Sequence, residues 1–380
     1  MKLLERILLA TNFDQSSESL LENGITLSKT FNSQIILVHV LPENVENEKV
    51  RLLLEEGAEK HLADMGKKMA EEGVKIGKTH LLFGNPYDRI TLLADELNAN
   101  VILIGSGEIS KNDVSQLGTT ANKIIRKSNK PVWVVKQGKS LDIKKIICPI
   151  DFSAESKRAL KNTITLARRF NSKLIIFSVC EAYQADSLRN KAYFDKENER
   201  ERLVRVSKLN LFLTDFNLTK LSYDIEVVVG HPATEILNAI SRHSIDLLVM
   251  GTTGKSGLDR LMMGSVTEKV VGKVPCSFVT LKEEDIIDVP FENKIRDIET
   301  YYDIAMQLEN DGLYPEAIEK YKMCLDVSDM HIPTLNRIAE VYAKQGDTAK
   351  AGEYKKMAGE ILSRIWEPEI EAEIRKFYKI

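Results

Sequence analysis

The sequence has few cysteines, little excess charge of either sign, and no long apolar runs. It contains four cysteines in 380 residues: Cys148, Cys180, Cys276 and Cys324. No two of them form a C-x-x-C pair, and none lies near a pair of histidines. This spacing argues against a zinc site and against thioredoxin-like redox chemistry. It favours reduced cysteines that are buried in a protein core.

The charge balance is close to neutral, with a formal net charge of -3 at pH 7. Nucleic acids and anionic membranes attract strongly basic surfaces, so neither is an expected partner. No segment approaches the roughly 18 apolar residues of a membrane-spanning helix. Residues 1–6 carry charges of both signs and run into a predicted strand, unlike a cleaved signal peptide. The sequence therefore predicts a cytoplasmic protein.

The sequence contains no set of side chains with the spacing of a catalytic site. His231 lies between Gly230 and Pro232 before a predicted helix, where a capping role is favoured over catalysis. Gly254-Lys255-Ser256 resembles the end of a P-loop, but the glycine required five positions earlier is a valine. A catalytic activity is therefore not predicted.

A segment of about 140 residues occurs twice in the chain. Residues 9–14 match residues 148–153 at a distance of 139 positions, whereas residues 101–105 match residues 247–251 at a distance of 146. Both copies also contain a Gly-x-Pro turn, at Gly84 and at Gly230. An internal repeat indicates that the same structural unit occurs twice, so it is considered before any local motif.

Each copy alternates short β-branched runs with amphipathic stretches, which is the pattern of βαβ units. Continuously apolar strands indicate a parallel sheet that helices cover on both faces. The sequence thus predicts an α/β fold with two doubly wound five-stranded parallel-sheet domains, residues 1–138 and 139–283. The predicted strands are 6–11, 33–40, 74–82, 101–105 and 132–135 in the first copy, and 145–150, 173–179, 222–229, 247–251 and 277–281 in the second.

A third, all-α module is predicted over residues 292–380, where a shorter repeat has a period of 34 residues. Ile304, Ala305, Leu308, Gly312 and Ala317 recur as Ile338, Ala339, Tyr342, Gly346 and Ala351. This period with small residues at the helix contacts resembles tetratricopeptide repeats. The resemblance implies a protein or peptide partner that binds through residues 298–380. Because two repeats are fewer than the usual three, we expect either that residues 361–380 supply a capping helix or that the module packs on the preceding domain.

The second copy carries a glycine pattern that is typical of phosphate binding. Gly251, Gly254, Gly264 and Ser265 read G-x2-G-x9-G-S. Gly251 ends the fourth predicted strand, and Ser265 opens a predicted helix. Backbone N–H groups in such a place bind anions when glycines let the phosphate approach the main chain. The pattern therefore predicts a nucleotide site in the second copy.

This combination of repeat and motif resembles the universal stress protein family, whose fold is of the adenine-nucleotide α-hydrolase-like type. The resemblance covers both copies, about three quarters of the chain. In the ATP-binding members of that family, the glycine set and Ser265 bind phosphates and ribose. Asp151, with Pro149 two residues earlier, occupies the place of a nucleoside contact. The resemblance implies that Val179 presents its backbone to adenine and that Met250 and Val266 flank the pocket.

The first copy departs from this pattern at two positions. Asn12 stands where the second copy has Asp151, and Glu108 stands where it has Gly254. A glutamate repels phosphate, and its side chain obstructs close approach to the backbone. The first copy is therefore expected to act as a structural partner without a nucleotide.

The resemblance implies an ATP-binding protein that acts as a stress or signalling adaptor, with magnesium an open question. A slow ATPase and a nucleotide-free interaction scaffold are the alternatives. We also expect the copies to form a pseudo-dimer within the chain, with strand 132–135 beside strand 277–281. This pairing would cover two exposed strand edges, and the short linker favours closure within one chain. Further oligomerisation stays open.

Overall fold

The computed structural model describes residues 4–13, 17–107, 117–138, 142–182, 191–252, 263–282, 286, 291–328 and 330–365. These residues form two compact units. One comprises the described residues within 2–206 and 221–288, and the other those within 207–220 and 289–380.

The first repeat alternates strands and helices in the order that the sequence predicts. Its elements are β1 (Arg6–Ala10), α1 (Ser17–Phe31), β2 (Gln34–Leu41), α2 (Glu48–Glu71), β3 (Lys75–Ile76), β4 (His80–Phe83), α3 (Pro86–Glu96), β5 (Val101–Gly105), α4 (Thr119–Lys127) and β6 (Val132–Val135).

The second repeat follows the same order. Its elements are β7 (Lys145–Pro149), α5 (Ala154–Phe170), β8 (Lys173–Glu181), α6 (Lys191–Leu213), β9 (Tyr223–Gly230), α7 (Pro232–His243), β10 (Leu247–Gly251), α8 (Ser265–Val271) and β11 (Ser277–Leu281).

The single strand predicted over residues 74–82 is wrong, because two strands, β3 and β4, occupy this region. Both pair with β2: Ile35 faces Ile76, and Val38 faces His80. Three positions separate the partners on β2, but four separate those on the edge strand. One extra residue therefore interrupts the ladder, as in a β-bulge.

The sheets predicted for the two repeats are joined. One sheet of eleven strands runs through both repeats in the order β3-β2-β1-β5-β6-β11-β10-β7-β8-β9, with β4 also paired to β2. All its pairings are parallel except that of β6 with β11. There Val134 faces Phe278 and Trp133 faces Val279. The strand adjacency expected from the repeat is present, and it merges the two sheets.

The repeats share a hydrophobic core at this junction. Trp133 of β6 is fully buried. Its ring centroid lies 6.5 Å from that of Phe170 at the end of α5, in an edge contact. Phe170 in turn lies 5.8 Å from Phe31, the matching residue at the end of α1. Across the same junction, the Lys282 ammonium donates to the carbonyl of Arg126 at 3.3 Å.

The helical unit contains α9 (Phe291–Asn310), α10 (Tyr314–Val327), α11 (Ile332–Lys344) and α12 (Thr348–Ile365). Gly312 and Gly346 lie between the members of each helix pair at φ of 76° and 81°, a left-handed conformation that favours glycine. Ala317 and Ile338 lie in the core between the helices. The 34-residue spacing of the two glycines thus coincides with two helix-turn-helix pairs.

The second repeat contributes residues 207–220 to this helical unit. Lys220, at a φ of 60°, pairs with Glu353 of α12 at 2.7 Å, and its ammonium lies 5.3 Å from the ring centroid of Tyr354. Phe216 and Leu218 are buried in the preceding turn. The helical unit is therefore built partly from the second repeat.

All four cysteines are buried and free, as predicted. Burial raises the pKa of the Cys148 and Cys276 thiols to about 12. Neither is an activated thiolate. Within the part of the chain that the structure describes, no helix is long and apolar enough to cross a membrane.

Candidate functional site

Two hydrogen bonds hold the end of β10 against the start of α8. The Thr267 hydroxyl donates to the carbonyl of Gly251 at 3.0 Å, and the Gly264 amide donates to the carbonyl of Thr252 at 2.8 Å. Both ends of the predicted phosphate loop are thereby fixed. The loop itself, residues 253–262 with Gly254, lies outside the described residues.

Gly251 was predicted to be glycine so that a phosphate can approach the backbone. The packing of α5 against β10 also requires a glycine here. A Cβ atom at this position would lie 2.7 Å from the Cβ and 3.3 Å from the carbonyl carbon of Glu155 in the first turn of α5. Met250, just before it, is buried in the core. The glycine therefore lets α5 approach the carboxyl end of β10.

Asp151 is held in place by the start of α5. Its Oδ1 accepts from the Ser153 amide at 3.0 Å and from the Ser153 hydroxyl at 2.5 Å. The same hydroxyl oxygen caps the helix by accepting from the Ser156 amide at 3.1 Å. Phe152 between them adopts a left-handed φ of 68°. Pro149, two residues before Asp151, ends β7, so the carboxylate lies just beyond the edge of the sheet.

The neighbouring strand end is tied to the same edge by residues that sequence reasoning missed. The Ser178 hydroxyl donates to the carbonyl of Ile150 at 2.7 Å, and Arg205 donates to Ser178 Oγ at 2.9 Å. The Arg205 guanidinium also lies 5.1 Å from the ring centroid of Phe152. Val179, the next residue of β8, is buried. These contacts fix the strand end that the resemblance assigns to adenine.

A cavity of about 270 Å³ opens beside these strand ends. Its lining combines two predicted residues, Ser265 and Val266, with the ends of β8 and β9 and the start of α7. The predicted residues Pro149, Asp151, Val179, Met250 and Gly251 stand outside this lining. The lining residues are Glu181, Ala182, Gly230, His231, Pro232, Ser265, Val266 and Lys269.

His231 takes the N-cap position of α7, but its side chain makes no capping hydrogen bond. The capping role favoured for that side chain is therefore wrong. Only the backbone takes part, since the His231 carbonyl accepts from the Glu235 amide at 2.9 Å. His231 is one of the residues that line the cavity.

The first repeat arranges different side chains at the matching edge. The amide of Gly118 donates to the carbonyl of Ser106 at 2.8 Å, the equivalent of the Gly264 bond. His39 Nδ1 lies 2.7 Å from the Thr11 carbonyl oxygen, and the Phe13 ring, at a backbone φ of 61°, lies 4.3 Å from the His39 ring centroid at an angle of 34°. Burial lowers the pKa of His39, although its contact with Thr11 raises it. At the offset of 139 positions, His39 thus takes the place of Ser178 and Asn12 that of Asp151, whereas Phe13 matches Phe152. Glu108 lies outside the described residues.

Metal ligands are not gathered anywhere in the described ranges. No group of three or more His, Cys, Asp or Glu side chains there is placed to hold a metal ion. The residues that surround the cavity carry one carboxylate, Glu181, and one ammonium, Lys269.

Comparison with known proteins identifies both repeats. The model of the universal stress protein family matches residues 4–136 and 142–282. A universal stress protein of Methanocaldococcus jannaschii is 30% identical over 156 residues, which are 40% of this chain and 88% of that protein. The crystal structure of a universal stress protein from Archaeoglobus fulgidus has a TM-score of 0.55 at 19% identity, covering 73% of this chain and 98% of that one, which shows a likeness of fold.

A second structure of a universal stress protein from Archaeoglobus fulgidus was solved in complex with dAMP. It is 24% identical, covers 35% of this chain and 98% of its own, and has a TM-score of 0.29. Because the two family matches together span more than half of the 380 residues, the chain belongs to the universal stress protein family.

Proposed function

We propose that the second repeat binds ATP or a related adenine nucleotide and that the chain works as a nucleotide-responsive adaptor. The observation that carries the proposal is the G-x2-G-x9-G-S pattern, both described ends of which are held by hydrogen bonds beside a cavity. Glycines at a strand end let phosphate oxygens approach backbone N–H groups, which is the chemistry of an anion site.

The proposed roles follow the resemblance residue by residue. Gly251, Gly254 and Gly264 with Ser265 take the phosphates and ribose, and Asp151 contacts the nucleoside. Val179 faces adenine through its backbone, with Pro149, Met250 and Val266 around it. The proposal includes a magnesium ion that binds together with the phosphates.

We expect one nucleotide per chain. Glu108 and Asn12 oppose binding in the first repeat, and the ring of Phe13 packs with His39 at the matching strand end. Isothermal titration calorimetry of the whole protein with ATP measures the stoichiometry directly. Two sites of equal affinity would contradict the proposal.

Changing Asp151 to asparagine gives the second repeat the residue that the first repeat has at the matching position, Asn12, with almost no change of side-chain volume. The amide oxygen can still accept from Ser153, so α5 stays capped. A hydrogen bond to a charged group contributes about 1.5–3 kcal/mol, so we expect ATP affinity to fall roughly 10- to 100-fold. Calorimetry measures the affinity, and thermal unfolding verifies that the variant is folded.

The matched control is the reverse exchange, Asn12→Asp, in the first repeat. It adds the same carboxylate at the equivalent strand end, where Glu108 remains in the loop. We expect no second site and no change in the first. If Asp151→Asn left ATP affinity unchanged, the assignment of Asp151 would be wrong.

For the helical unit we propose binding of a protein or peptide partner. Its support is the pair of left-handed glycines 34 residues apart, each between two packed helices. Because its repeat register shares no motif with the glycine pattern, removal of residues 289–380 is expected to leave ATP affinity within a few-fold.

That truncation exposes Phe216 and Leu218, which belong to the same unit as the removed helices. The truncated protein is therefore made with serine at both positions, and the full-length double variant is its control. Calorimetry with ATP is the measurement. A loss of affinity in the soluble truncated protein alone would mean that the helices complete the nucleotide site.

A further inference from the structure

An ion pair joins the last turn of α4 in the first repeat to α8 in the second. The Arg126 guanidinium donates to the Glu268 carboxylate, and the two side chains are 40% and 51% exposed. Arg126 is also held by its own helix, since its Nε donates to Asn122 Oδ1 at 3.0 Å. The first repeat thus places an oriented cation on a carboxylate of the second.

The antiparallel contact of β6 with β11 brings these helices together. Val132, which begins β6, faces Thr280 near the carboxyl end of β11. Because α4 ends just before β6, its last turn lies beside the carboxyl end of β11. The buried Lys282, the residue after β11, donates to the carbonyl of Arg126 at this place. Arg126 therefore lies at the strand ends where the second repeat carries its glycine pattern.

The repeat offers a second, equivalent place for such a pair, and the residues there do not form one. At the distance of 146 positions, Arg126 corresponds to Gly272 and Glu268 corresponds to Asn122. A glycine has no side chain to offer, so the end of α8 gives no cation to α4 in return. The ion pair thus belongs to the repeat with the intact glycine pattern.

Glu268 lies one helical turn beyond two of the proposed phosphate residues, Gly264 and Ser265. Its amide donates to the carbonyl of Gly264 at 2.9 Å. The residue before it, Thr267, holds the carbonyl of Gly251 at 3.0 Å. A carboxylate this near to a phosphate site repels the negative charges of the ligand. A cation in contact with that carboxylate offsets most of the repulsion, because the two opposite charges nearly cancel at larger distances.

We propose that Arg126 is a positioning residue for the nucleotide site of the second repeat, and that it acts by cancelling the charge of Glu268 toward the phosphates. The inference rests on the proposed nucleotide function and deepens it. The first repeat then helps to set the affinity for a ligand that it does not contact. Loss of Arg126 exposes the repulsion, and only ligands that carry phosphates are affected.

The test uses three full-length variants: Arg126→Gln, Glu268→Gln and the double variant. Calorimetry measures dissociation constants for adenosine, AMP and ATP at about 0.01 M salt, where charges act over about 30 Å. Arg126→Gln should weaken ATP about two- to fivefold, weaken AMP less and leave adenosine unchanged. Glu268→Gln should strengthen ATP by a similar factor. The double variant should return to wild-type affinity, because the charge of the pair is again zero.

The matched control is Arg51→Gln in the first repeat. Arg51 lies at the start of α2, is 49% exposed and pairs with Glu55 at 2.8 Å. Its loss should change the affinity for none of the three ligands. Thermal unfolding verifies that all variants are folded, as expected because exposed ion pairs contribute little to stability. At about 0.15 M salt the Debye length falls to about 8 Å, so the effect of Arg126→Gln should shrink.

Unchanged ATP affinity in Arg126→Gln would overturn the inference. Equal weakening of adenosine and ATP would overturn it too, since the loss would then come from a displaced α8. A double variant that binds ATP as weakly as Arg126→Gln would show that the charge of Glu268 is not the cause. A wild-type protein that binds none of the three ligands overturns the proposed function as well, which distinguishes the two failures.

Discussion

Replacing Val134 with aspartate is expected to unfold both repeats together. Val134 is fully buried in β6, between Ile104 of β5 and Phe278 of β11. A carboxylate there loses its hydration without gaining a partner, so we expect a loss of at least about 4 kcal/mol in the free energy of unfolding. Because the sheet is continuous across this strand, the loss affects both repeats. Urea unfolding followed by circular dichroism measures it.

Hydrogen exchange locates the effect within the chain. Amides of β2 and of β8 should lose protection together, although Val134 lies in neither strand. Val204→Asp is the matched control, because Val204 is 56% exposed on α6, where such a change costs within about 0.5 kcal/mol. Loss of protection in β2 with full protection in β8 would mean that the repeats fold independently.

Replacing Gly251 with alanine is expected to damage nucleotide binding and stability at once. The new methyl group would lie 2.7 Å from the Glu155 Cβ, closer than such atoms approach, and the neighbouring backbone carbonyl carbon is 3.3 Å away. The first turn of α5 has to shift, and with it the cap at Ser153 and the carboxylate of Asp151. We expect a loss of roughly 1–3 kcal/mol in the free energy of unfolding. ATP affinity should fall at least about tenfold, since small misplacements of binding groups are costly.

The control for this change is Gly57→Ala in the middle of α2. An added Cβ there meets no atom within 4 Å among its neighbours, so alanine should stabilise the helix by about 0.4–1 kcal/mol. Its ATP affinity should equal that of the wild type. Calorimetry and thermal unfolding of both variants are the measurements. A Gly251→Ala protein with normal affinity would show that the end of β10 takes no part in binding.

The positions of most strands could be predicted from the sequence. Buried parallel strands are continuous apolar runs, and each run occurs at matching positions in both repeats. Strands such as Leu247–Gly251 begin and end at the predicted residues. The turns at Gly312 and Gly346 could also be predicted, because glycine is the residue that most readily adopts a left-handed conformation. Both glycines adopt that conformation in the structure.

Other features depend on contacts between distant parts of the chain, and no local pattern encodes them. The bulge between β3 and β4 is visible only once the register against β2 is known. The hydroxyl of Thr267 is one of many on a helix until β10 places the Gly251 carbonyl next to it. The assignment of residues 207–220 to the helical unit depends on tertiary packing in the same way.

The antiparallel pairing of β6 with β11 determines the direction of every strand on either side of it. All strands of the first repeat run one way, and all strands of the second run the opposite way. The carboxyl ends of β1 and β5 therefore lie at one edge of the sheet, and those of β7 and β10 at the other. The glycine pattern at the strand ends of the second repeat and the matching strand ends of the first repeat consequently face away from each other across the sheet. No single small ligand can bridge them, so the two edges are free to diverge without competing for the same molecule.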